Sequence, residues 1–267
     1  VTANRQPRQT REELRALLLE TGRTILREQG LSSGAEALTF KTVFDRVEQE
    51  AAIRVTNGSV IGRVWENQAE FQADVLATIA HDDHHEQIDL GLGAARSMLN
   101  DVDLSTPASR QDALREVCRL VGELNAQVVR NSRDWPLWVG VWALAASGQP
   151  LDCHKKIESA LLAGFEGFTE RIVDAYAAMA DYLGFRPRSP FTLLQFAIAA
   201  DSLGQGYGLR DRIDGSIVDS IALPTGPGGV TQQWTLLAVA FEGLVQRFFE
   251  IDPDWEPDRG RHMGCRG

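Results

Sequence analysis

Between Thr39 and Phe71 the chain has room only for short helices joined by tight turns. Phe40, Val43, Phe44 and Val47 recur at helical spacing, and Thr39 stands in front of them as a cap. The connector EAAIRV follows, then a polar cluster of Thr56, Asn57, Gly58 and Ser59, then an aromatic residue, Trp65. Asn67 with Glu70 three residues on has the spacing of a capping box. The pattern predicts a helix over about 40–49, a short helix from Thr56 or Ser59 to Trp65, and a longer helix from Gln68 with Phe71, Val75, Leu76 and Ile79 inward.

The flanking sequence extends this helical reading. Thr10 and Glu13 make a second capping box ahead of an apolar stripe of Leu14, Leu17, Leu18 and Ile25, which Gly30 ends. LSSGAEA reads as a loop. Pro107 opens a helix through about Arg130, DWPLWVGVWALAAS a compact helix, and residues 151–183 one long helix ended by Gly184 and Pro187. Ser189-Pro190 is expected to cap a helix over 190–208, GSIVDSIALPTGPGG to be a loop, and 231–250 to be the last helix. With no strand pattern and no repeat, the expected class is all-α.

Composition narrows the function. No apolar run is long enough to cross a bilayer, so no membrane partner is expected. The first residues lack the apolar centre of a secretory signal, and three scattered cysteines fit a reducing cytoplasm better than a disulfide framework. The net charge of −10 is uneven: residues 1–66 hold ten basic and nine acidic side chains, leaving seventeen basic and twenty-eight acidic in the rest. A near-neutral head on an acidic body suits a molecule that meets a polyanion at one end. No phosphate loop, nucleophile elbow or H-E-x-x-H run is present, so no catalytic residue is assigned and no enzyme is expected. His81 and His85 are spaced for a metal pair, but no second ligand cluster accompanies them. Neither a metal nor a cofactor is expected.

Two short helices packed on a capped first helix describe a helix-turn-helix module, which places the first turn of its last helix against base edges. Thr56, Asn57 and Ser59 are side chains that can read bases, and Arg63 suits a phosphate or a guanine. The helix starts at Thr39, Lys41 and Thr42, and at Asn67 and Gln68, can hold phosphates on either side of a groove. Through the first helix ending in EQG, the second helix FKTVFDRVEQEA and the segment VTNGSVIGRVWENQAEFQADVL, the chain resembles the TetR family of transcriptional regulators over roughly residues 10–80. It departs from that family at Gly62, near a usual tyrosine, and at Asn67-Gln68, where a lysine is usual. The resemblance implies a homodimeric regulator, usually a repressor, that binds a double-stranded DNA operator and answers to a small-molecule effector.

On this reading residues 1–9 are a basic arm, 10–66 a three-helix helix-turn-helix DNA-binding domain, 67–250 a larger helical ligand-binding and dimerisation domain, and 251–267 a flexible tail. Trp234, Leu237, Phe241, Leu244 and Phe248 are spaced as a heptad seam, and Phe191, Leu194 and Ile198 begin another. Together they are expected to form the dimer interface. Trp135, Trp138 and Trp142 share one helix face, and with Phe165, Phe168, Tyr176 and Met179 they are the expected lining of a pocket for a hydrophobic effector. The rival reading is an all-α ligand- or lipid-binding protein with a vestigial DNA reader.

Overall fold

The computed structural model describes residues 9–31, 38–81, 85–147, 154–215, 220–225 and 229–256. The arm before Gln9, most of the first loop, most of the histidine run, Cys153, and the tail beyond Glu256 lie outside the described residues. In chain order the helices are α1 (Arg11–Gln29), α2 (Phe40–Ala51), α3 (Asn57–Val60), α4 (Gln68–Ala80), α5 (His85–Leu99), α6 (Pro107–Asn131), α7 (Trp135–Ala146), α8 (His154–Leu183), α9 (Leu193–Ile213) and α10 (Leu236–Phe248). Four short strands complete the list: β1 (Phe185–Pro187), β2 (Ile221–Thr225), β3 (Val230–Trp234) and β4 (Phe249–Ile251). The chain divides into two compact units, the first of Val1–Asp83 and Arg133–Phe165, the second of His84–Ser132 and Glu166–Gly267. No described helix is long and apolar enough to cross a membrane.

The first unit is built on α1 and α4. Thr10 and Glu13 cap α1 reciprocally, and Gly30 ends it at φ 73°, in the left-handed region. Leu18, Ile25 and Leu26 of α1 meet Phe71, Val75, Leu76 and Ile79 of α4 in one core, to which α2 adds Phe40, Val43 and Val47. The helices come close at Gly22, where a Cβ would sit 2.8 Å from a methyl of Val75. Trp135, Leu137, Trp138 and Val141 of α7 close the core on another side. The end of α1 is tied to α7 by ion pairs of Arg23 and Arg27 with Asp134, whose carboxyl Arg27 above all holds below the usual carboxylate range.

The second unit packs α6 against α5, α9 and α10, with the later residues of α8 in the same core. The expected all-α class holds for the bulk of the chain, but two antiparallel strand pairs are added to it. The stretch read as a loop before the last helix forms a hairpin, with Ile221 opposite Trp234 and Thr225 opposite Val230. Pairing with a distant partner is invisible to helical periodicity. The hairpin also takes Trp234 out of the last helix: its indole is buried and donates to Thr225 Oγ1 at 2.6 Å. Helix α10 begins only after it, capped by the Thr235 hydroxyl, which accepts from Ala238 N.

Helix α9 likewise starts later than expected. Thr192 and Gln195 form its capping box, not Ser189-Pro190. The start of the expected flexible tail is ordered. β4 pairs with β1, the Trp255 indole donates to Asp181 O at 2.7 Å, and the Arg110 guanidinium lies 4.6 Å from the Trp255 ring.

Candidate nucleic-acid interface and ligand cavity

The polar tip of the first unit is held by an aromatic clamp beneath it. Helix α3 is a single turn, shorter than the helix expected through Trp65. Gly62 explains the difference: its φ of 73° belongs to a left-handed turn, and its N–H donates to Trp65 O at 2.8 Å, closing the chain back on itself. Beyond the turn the Trp65 ring packs edge-on to Phe71 at 4.9 Å, and Phe71 meets Phe40 at 5.3 Å. The indole N–H donates to Asp74 Oδ2 at 2.7 Å inside the core. Arg15 of α1 reaches the same oxygen at 2.6 Å, and Lys156 of α8 pairs with the other oxygen of that carboxylate. The tip is therefore fastened to α1, α4 and α8 through one buried carboxylate.

The nine side chains proposed to meet DNA fall into two groups. Five of them are engaged at helix ends. Thr39 Oγ1 accepts from Thr42 N and shares a 2.8 Å hydroxyl contact with Thr42. Ser59 Oγ donates to Thr56 O and accepts from Thr56 N. Asn67 Oδ1 accepts from Glu70 N, and Gln68 Oε1 reaches across to accept from Phe40 N at 3.0 Å. Gln68 thus ties the start of α2 to the start of α4. Lys41, Thr56, Asn57 and Arg63 are exposed. Arg63 sits in the turn after α3, not on the helix where it was expected.

Beside this tip runs a groove of about 590 Å³ that three arginines line: Arg11 at the start of α1, Arg54 in the connector after α2, and Arg63. None of the three has a carboxylate partner among the described residues. Leu14, Ile53, Val55 and Val64 form its floor and walls. Arg11 and Arg54 are not evident as site residues from the sequence, because only the fold brings them beside Arg63.

The second unit holds a partly open cavity of about 160 Å³ between α5, α6, α8, α9 and α10. Its lining is aliphatic and aromatic, with Tyr176 packed edge-on to Phe196 at 4.7 Å and Phe241 beside them. Among the described residues, no charged side chain lines it. Three residues with polar groups are among those that line it: Cys118, Tyr176 and Asn125, whose amide oxygen lies against Gly204 of α9. Burial pushes both the thiol and the phenol well above their usual ranges, so both stay neutral. Asn125 Oδ1 is buried with no hydrogen-bond partner, a state that costs about 1–3 kcal/mol in a protein interior.

No family model, no curated protein and no solved structure matches this chain.

Of the residues expected to line a pocket, Phe168, Tyr176 and Met179 line this cavity. Trp135, Trp138, Trp142 and Phe165 do not. They belong to the first unit, where Trp138 and Trp142 pack at 5.5 Å with their rings tilted and both meet Phe165 edge-on. Trp138 sits in the core of that unit with Phe165 packed against it, which accounts for the shared helix face. The expected dimer seam is redistributed in the same way. Trp234 and Leu237 are buried within their own unit, Phe241 lines the cavity, and Leu244 packs against the core. Phe248 packs against Phe191 at 4.5 Å with the rings tilted. Only Leu194 and Ile198, 51 % and 54 % exposed, face outward. Leu209 and Ile213 continue their stripe along α9, with Ser202 and Gly206 between them.

Proposed function

We propose that the protein is a DNA-binding transcriptional regulator of the TetR kind, a homodimer that binds an operator through the first unit and answers to a small molecule held in the second. The observation that carries this reading is the unpaired arginine groove at an exposed polar tip, in a chain whose net charge is −10. Unneutralised guanidinium groups in a groove that Ser59 of α3 also lines suit a phosphate backbone flanking a groove that the tip reads. The exposed α9 stripe, Leu194 to Ile213, supports pairing with a second copy. For signalling, α8 supplies cavity wall from Phe168 to Leu183 and, at its other end, the Lys156 that grips Asp74 beneath the tip. A hundredfold release of DNA needs about 2.7 kcal/mol of such coupling, within the usual range of allostery.

The test is selection of fragments from the source organism's own DNA, followed by salt titration on the selected sequence. Replacing Arg54 or Arg63 with alanine is expected to weaken binding and to lower the salt slope by about 0.9 for each phosphate that the variant no longer neutralises. Unchanged affinity and slope in both variants overturn the assignment. Failure of the selection to enrich any sequence favours the rival reading, a ligand-binding protein, which rests on the cavity alone.

A further inference from the structure

We infer that Ile61 reads a base: it packs against the C5-methyl group of a thymine close to an adenine that Asn57 pairs with. This rests on the reading of the first unit as DNA-binding and names a sequence feature of its operator.

Three observations carry it. The first is exposure. Ile61 is 43 % exposed, although Val60 before it and Trp65 after the turn are buried. Among the described residues of the first unit the exposed large apolar side chains are Ile61, Trp142 and Leu162, and Ile61 alone belongs to the polar tip. Its backbone is held on both sides. The Ile61 N–H donates to Asn57 O, and the Gly62 N–H donates to Trp65 O, both at 2.8 Å. A fixed apolar side chain that faces water gains only by meeting an apolar group of a partner.

The second observation is direction. Asn57 and Ile61 are four residues apart with a helical hydrogen bond between them, so their side chains leave one face of α3. The Asn57 side chain is exposed and makes no hydrogen bond among the described residues. Ser59 points to the other side, into the arginine groove. Phosphate contacts and base reading thus fall on opposite sides of one helical turn. In the major groove asparagine pairs with N6 and N7 of adenine, and the thymine methyl is the apolar group that a base edge offers. Side chains at this spacing start about 5–6 Å apart, and base pairs rise about 3.4 Å each, so the thymine lies within about two pairs of the adenine. The third observation is access. A Cβ at Gly58, between the two residues, would meet nothing within 4 Å. The outer side of α3 is therefore bare backbone at that point, which lets a side chain as short as isoleucine reach the groove floor.

The test replaces each thymine of the selected operator in turn with uracil, which removes the methyl group and leaves the pairing intact. Affinity is read by fluorescence anisotropy. At one thymine of a half-site the native chain is expected to bind about fourfold more weakly, equal to about 0.8 kcal/mol, the scale of one buried methyl group. Ile61→Ala is expected to bind the thymine and uracil forms of that position equally, with the effects at other positions unchanged. Asn57→Ala is expected to lose its preference for adenine within about two pairs of that thymine. Gly58→Leu, which has open space around it, is expected to weaken binding to both forms. Circular dichroism of the three variants separates these effects from loss of fold. The inference is overturned if no thymine shows methyl dependence, or if Ile61→Ala keeps the native dependence. It is also overturned if Asn57→Ala keeps the adenine preference or if Gly58→Leu binds as the native chain does. A selection that enriches no sequence sinks the DNA-binding reading and this inference together. An operator that Arg54→Ala or Arg63→Ala binds more weakly, but that shows no methyl dependence, overturns this inference alone.

Discussion

Replacing Asp74 with alanine should cost the first unit about 2–4 kcal/mol, and the origin of that figure can be separated by a second substitution. The carboxylate is 5 % exposed and carries three partners: the Trp65 indole, Arg15 and Lys156. Arg15 and Lys156 are 47 % and 46 % exposed, so on losing Asp74 they return to water, and pairs of that kind are worth about 0–1 kcal/mol each. Trp65 has no such escape. Its ring is 2 % exposed, and an indole N–H stranded in the core costs about 1–3 kcal/mol. Asp74→Asn keeps a carbonyl oxygen for the indole and gives up only the charge, so its cost should stay near 1 kcal/mol, the net worth of an ordinary hydrogen bond. Equilibrium unfolding in urea, followed by far-ultraviolet circular dichroism, gives both values, provided the denaturant slope is unchanged. Because Trp65 anchors the segment that holds Asn57 and Arg63, the alanine variant should also lose more DNA affinity than the asparagine variant. Equal costs for the two would mean that the charge, not the acceptor for the indole, fastens the tip, and the reasoning above would be wrong.

Other perturbations test separate parts of the structure. Gly122→Ala places a methyl 2.6 Å from Ala238 Cα and Cβ, where α6 and α10 touch. Overpacking of about 1–3 kcal/mol should outweigh the gain of up to about 1 kcal/mol in helix propensity, lowering the melting temperature. Burial pushes the Asp201 carboxyl up to about 6, against the lowering effect of its hydrogen bond from Gln205. The folded state therefore binds this proton more tightly than the unfolded chain, and stability should fall as pH rises from about 4 to about 6 and stay lower above. Asp201→Asn should remove that slope and raise stability at pH 8 by about 1–2 kcal/mol after allowance for partial exposure, as read by urea unfolding across pH. Leu194→Glu with Ile198→Glu puts charge on the outward stripe of α9 and should yield monomers by sedimentation while leaving the helix content unchanged.

What the sequence made legible follows from how far apart the interacting residues lie. The bounds of α1 could be read directly, because Thr10, Glu13 and Gly30 act on their own helix. The clamp residues Phe40, Val43 and Phe71 were also readable, since helical spacing alone marks them as inward. Trp65 stands out in the sequence only as an aromatic residue between two helices. The partner of its indole is Asp74 of α4, which no local pattern singles out. The β2–β3 hairpin escaped because its strands are recognised only by each other. The cavity was legible only in part, through Phe168, Tyr176 and Met179, for a related reason. Three tryptophans on one face look like a pocket, yet a void arises where five helices fail to fill space, and that depends on packing that periodicity does not encode. Gly62 was noted only as a missing tyrosine. Its positive φ shows it as the residue that turns the chain from α3 toward Trp65.

The placement of the tryptophans gives the molecule an optical asymmetry. Of the six, Trp65, Trp135, Trp138 and Trp142 belong to the first unit, and only Trp234 and Trp255 to the second. No indole lines the cavity. Intrinsic fluorescence therefore watches mainly the unit that carries the arginine groove, and a bound molecule has no indole beside it to quench. An emission change on adding a cavity ligand would report a rearrangement away from the point of binding. Repeated with Trp65→Phe, the same titration would show whether the signal comes from the indole beneath the tip.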